Sequence, residues 1–144
     1  MRAGRVTVGI HADDGAAAHE NGGGLTVVEI GAIQEFGLTI EHEDGTETVI
    51  PERSFVRAWF DEQTEENRAL IRAAALKVVG GELGDAQALA ILGAAMQASM
   101  QARISAGLEP PNAPSTIRAK GSSKPLIASG QLRSTCSFEV GGER

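Results

Sequence analysis

The sequence predicts an α+β domain: a small antiparallel sheet with two long helices packed on one face, an extended loop and an extended C-terminal segment. Three observations lead there. Apolar residues alternate at period two near both ends of the chain. An Asp-Gly turn separates two short β-like runs. Two long segments repeat apolar residues every three or four positions. The 144 residues are read as one domain, because a chain of this length builds one core rather than two.

Val6, Val8 and Ile10 put three apolar side chains on one face of a first strand over 5–10. Residues 11–24 are small, polar and aperiodic, and are expected to form a mobile loop. Thr26 and Glu29 make a T-x-x-E capping box that opens a helix over 26–36, and Gly37 stops it. A hairpin follows over 38–50, turning at Asp44-Gly45 and closed by Pro51.

Residues 54–79 read as helical. Phe55/Trp59, Val56/Phe60, Leu70/Ala74 and Ile71/Ala75 are four apart, and a break is expected near Thr64. Asp85 is expected to cap a helix over 86–106. Leu89, Leu92, Met96, Met100 and Ile104 form its apolar stripe, while Gln87, Gln97 and Gln101 face away. Gly107 and Pro110-Pro111 end it. Residues 107–133 are expected to be an extended assembly segment. A closing strand then places Cys136, Phe138 and Val140 on one face. The first and last strands are expected to pair with the hairpin in a single sheet, over a core containing Phe55, Trp59, Leu92 and Met96.

Composition narrows the function. Apolar residues at 42% allow a folded core. Aromatics at 3%, with no tyrosine, argue against a reader that stacks nucleic-acid bases. A net charge of −6 argues against neutralising many phosphates. The charge is also unevenly placed. Residues 1–66 carry 14 acidic and 4 basic side chains, and residues 67–144 carry 5 acidic and 9 basic. Two readings follow: two solvated faces of opposite bias, or a subunit with unlike poles suited to head-to-tail association. The single cysteine excludes an internal disulfide. No run approaches the ~18 apolar residues of a membrane span, and the first residues lack the apolar stretch of a signal peptide. Synthesis in a cytoplasm is therefore expected.

No catalytic, cofactor or metal site is expected. His11, Asp13, Asp14 and His19 are metal-binding residue types, but they lie in a loop that nothing orders. Strand alternation would put Glu41 and Glu43 on one face, with no histidine or apolar pocket nearby to tune them. Gly121-Ser122-Ser123-Lys124 lacks the order of a phosphate-binding loop. Cys136 lies on a predicted buried face and reads as a core thiol.

Three segments, in order, carry a resemblance. They are Glu35-Phe36-Gly37; the run from Ile50 and Pro51 through Arg53 and Phe55 to Arg57; and the run from Pro114 to Ser134, which contains Arg118, Lys120, Gly121, Lys124, Pro125, Gly130, Leu132 and Arg133. Together they resemble the neck or tail-completion proteins of long-tailed bacteriophages, also described as virion morphogenesis proteins, over nearly the whole chain. Ala128 and Ser129 stand where that pattern has an acid and a threonine, so the local turn at Gly130 loses one capping group while Ser129 retains a hydroxyl.

The resemblance implies a structural virion protein of the head–tail junction. Copies would form a homo-oligomeric ring, six- or twelve-fold, around the DNA exit channel, against other neck, connector or tail proteins. DNA would pass without sequence-specific binding, and no membrane would be involved. Assembly contacts are expected from Arg53, Arg57, Arg118, Lys120, Lys124 and Arg133. Structural roles are expected for Glu35, Phe36, Gly37, Pro51, Phe55, Gly121, Pro125, Gly130 and Leu132. A tail terminator capping the tube is the nearest alternative, and a small phage-encoded enzyme or regulator a more distant one.

Overall fold

The computed structural model of the chain describes residues 4–18, 23–107 and 130–142. The α+β class holds. Strand β1 (Gly4–Ile10) is followed by a helical turn α1 (Ala12–Gly15), helix α2 (Val27–Phe36) and a hairpin of β2 (Leu38–Glu41) and β3 (Glu47–Ile50). Helices α3 (Val56–Glu62), α4 (Thr64–Val79) and α5 (Asp85–Ala106) come next, then a short α6 (Gln131–Thr135) and β4 (Cys136–Gly142).

The terminal strands pair with each other. β1 and β4 run antiparallel with Val6 opposite Val140, Val8 opposite Phe138 and Ile10 opposite Cys136. Opposed residues share a face, so the alternation seen in both segments produces one apolar side. Helix α5 lies on that side, and α4 packs on α5. Two glycines allow the approach. A Cβ on Gly93 of α5 would sit 2.3 Å from Phe138 Cδ2 and 2.9 Å from Val6 Cγ2. One on Gly4 would sit 2.5 Å from Leu89 Cδ1.

The hairpin does not join this sheet. β2 and β3 pair only with each other, Leu38 opposite Ile50 and Glu41 opposite Glu47, so the single expected sheet is two separate two-stranded ribbons. Both ends of the hairpin meet between α2 and α3, where the Cβ position of Gly37 lies 2.9 Å from Glu52 N. Its turn follows the sequence: Asp44 Oδ1 accepts from the Thr46 backbone N–H at 3.0 Å and its hydroxyl at 2.6 Å, and Gly45 has φ +80°.

Two clusters form the interior. Val27, Phe55, Trp59, Met100, Ile104, Leu132 and Cys136 make the larger, with Val8, Ile10 and Met96 packed on it. Ala74, Ala88 and Leu92 make the smaller, flanked by Leu70 and Val78. Helix α5 serves both: residues 88 and 92 face α4, while 93, 100 and 104 face the ribbon and α2–α3. Of the two pairs expected on α4, Leu70/Ala74 turns inward and Ile71/Ala75 outward. Trp59 Nε1 donates to Ser99 Oγ at 2.6 Å and Arg103 pairs with Glu62 at 2.8 Å, joining α3 to α5.

Several local expectations are corrected. The T-x-x-E box forms as read, with Thr26 N–H donating to Glu29 Oε2 at 2.8 Å and Glu29 N–H to Thr26 Oγ1 at 3.3 Å. Asp85, however, is the first residue of α5, and Gly84 is its N-cap. The helical break falls at Gln63, next to the expected Thr64. Gln101 faces inward enough to donate to the Cys136 carbonyl at 3.0 Å. Within the expected loop 11–24, residues 12–15 form a helical turn, because Gly15 has no Cβ to strike Ile10 Cγ2, which would lie 2.8 Å away. In the expected extended segment 107–133, residues 131–133 belong to α6. Gly130 enters at φ +71° and its carbonyl accepts from Ser134 N–H at 2.9 Å. Residues 19–22 and 108–129 lie outside the described residues.

Gly93→Ala should destabilise the domain by about 1–3 kcal/mol, the range for overpacking a filled core. Thermal melting checks it: an unchanged midpoint would mean that α5 does not press on the β1–β4 ribbon as described.

Candidate functional site

The first two segments that carry the resemblance meet around one carboxylate. Helix α3 begins at Phe55, whose side chain cannot accept a hydrogen bond, so its first N–H groups need another acceptor. Glu35, in the last turn of α2, supplies it. Its Oε2 accepts from the backbone N–H of Phe55 at 2.7 Å and Val56 at 3.0 Å. Its Oε1 accepts from Arg57 N–H at 3.1 Å and from the Ser54 hydroxyl at 2.7 Å. Glu35 is buried. Burial pushes its pKa up, but the Ser54 hydroxyl and the N–H groups of Val56, Arg57 and Phe55 outweigh that and hold the carboxyl below its ordinary value.

The neighbouring motif residues support this clamp. Gly37 turns the chain at φ +74°, where a Cβ would lie 2.9 Å from Glu52 N and 3.0 Å from the Ile50 carbonyl. Pro51 ends β3, and Arg53 N–H donates to the Gln34 carbonyl at 2.7 Å. Phe55 and Leu132 enter the main core, both within 4 Å of the Cβ position of Gly31. Phe36 is the exception: it is 69% exposed.

The expected assembly residues divide. Arg53 is buried, with Nη1 3.4 Å from Gln34 Oε1, so it serves the inside of the subunit rather than its surface. Arg57 pairs with Glu52 of its own chain. Arg133 is exposed and donates to Ser105 Oγ at 3.3 Å. Arg118, Lys120 and Lys124, with Gly121 and Pro125, lie outside the described residues.

Beside the clamp, α2, α3 and the Ile10 end of β1 enclose a cleft of about 710 Å³, with Phe36 and Phe60 among its lining residues. Its polar lining residues are Glu35, already committed to backbone donors, and Arg57, paired with Glu52. The cleft therefore offers apolar contact rather than reactive groups.

Other chemistry-bearing residues are engaged structurally. Glu43 falls in the turn, not on a strand, so it does not share a strand face with Glu41; Glu41 instead faces Glu47 across the ribbon. Burial pushes the Cys136 thiol up to about 11. No group of three or more metal-ligating side chains occurs among the described residues.

The strand pairing creates one cluster that sequence reading missed. His11 Nδ1 lies 2.9 Å from Ser137 Oγ, His11 Nε2 lies 2.9 Å from Thr7 Oγ1, and Ser137 Oγ donates to Asp14 Oδ2 at 3.0 Å. The carboxylate meets the serine rather than the far ring nitrogen of His11, which faces Thr7, so the serine–histidine–carboxylate order of a hydrolytic triad is absent. The cluster pins α1 to the β1–β4 ribbon. His11 and Ser137 are 126 residues apart and only the β1–β4 register, with Gly9 opposite Ser137, brings them together, so no local signal marks the cluster.

The chain matches no protein-family model, no curated protein and no solved structure. No helix among the described residues is long and apolar enough to cross a membrane.

Glu35→Gln should cost about 1.5–3 kcal/mol, the worth of a hydrogen bond to a charged group. Because the folded pKa is depressed, the wild-type advantage is full above the unfolded carboxyl's value of about 4.3 and is lost as pH falls through the folded pKa. Melting curves from neutral to acid pH should converge for the two proteins; a constant gap would show that the carboxylate's charge is irrelevant. Cys136 should resist thiol reagents until the protein is unfolded, as a labelling time course with and without denaturant would show.

Proposed function

We propose that the chain is a structural subunit of the phage head–tail junction: a neck or tail-completion protein. Copies assemble into a ring around the DNA exit channel and make the tail end competent for head joining. One observation carries the proposal. Glu35 of the first segment caps the helix that opens from the second, and Phe55 and Leu132, from the second and third, meet in the main core; of the third segment, residues 130–134 are among those described. A shared structural use of the quoted residues supports the resemblance.

The chemistry of these residues supports the same reading. The buried carboxylate is used up by backbone donors, and the cleft beside it is apolar. Such surfaces bind by shape and burial, as subunits in an assembly do. The acidic balance of the chain suits a channel through which DNA must slide without sticking.

Mass spectrometry of purified virions should find the protein at fixed stoichiometry, in a copy number divisible by six, and imaging of the neck should place it there. Its absence from intact particles would refute the proposal.

A further inference from the structure

We draw no further inference here: the strongest candidate, the apolar cleft that α2, α3 and the Ile10 end of β1 enclose, with Phe36 and Phe60 exposed in it, carries nothing because no feature of the structure shows what covers it.

Discussion

The Glu35 carboxylate on the start of α3 is the constraint on which the rest of the subunit depends. A buried carboxylate is costly unless its oxygens are fully engaged. Here three backbone N–H groups and one hydroxyl engage them. The donors are the orphan groups of a helix whose own N-cap residue, Phe55, cannot help them. Each side settles the other's deficit. The result fixes the end of α2 against the start of α3, which delivers Phe55 and Trp59 to the main core. It also brings both ends of 38–50 together at Gly37 and Glu52. The hairpin is held at its base, so it can project without burying its own faces.

The second organising contact is steric. A two-stranded ribbon needs support on its apolar side, and α5 gives it by bringing Gly93 against Phe138 and Val6. The other side of the ribbon carries Thr7, Ser137 and Glu139, as the alternation requires. There the His11–Ser137–Asp14 hydrogen bonds hold α1 in place. Both faces are thus accounted for, one by close packing and one by polar contacts. The hairpin at the other end has neither.

Features set by neighbours in sequence were legible without the structure. The Thr26–Glu29 box, the Asp44-Gly45 turn, the α5 stripe and the face shared by Cys136 and Phe138 each depend on spacing within a few residues. Features set by distant neighbours were not. Nothing local to Glu35 says that it caps a helix twenty residues later, and a glutamate at a helix end ordinarily points to solvent. The hairpin's isolation was equally hidden, because alternation reports which face is apolar but not which strand lies alongside. Leu70/Ala74 and Ile71/Ala75 have the same spacing, and only the position of α5 decides which pair is buried. Of the residues expected to have structural roles, Gly37 lies in the turn beside Glu52, and Phe55 and Leu132 lie in the main core. The surface role expected of Arg53 fails because its burial follows from the clamp beside it.

The charge asymmetry of the sequence also changes meaning once the acids are placed. Glu35 is internal, Glu29 belongs to a cap, and Glu52, Glu62 and Glu65 pair with Arg57, Arg103 and Arg68. Among the described residues of the first half, Asp13, Asp14, Glu41, Glu43, Asp44, Glu47, Asp61 and Glu66 make no ion pair with an arginine or lysine, and four of these eight lie within 41–47. Half of that negative charge is therefore on the hairpin, whose strands are exposed. Exposed charges contribute little affinity pair by pair, but they orient an encounter and penalise the wrong register. The clamp at its base ties together both ends of the ribbon, so the side carrying Leu38, Ile40 and Ile50 and the opposite side carrying Glu41 and Glu47 are presented in a set orientation to α2 and α3.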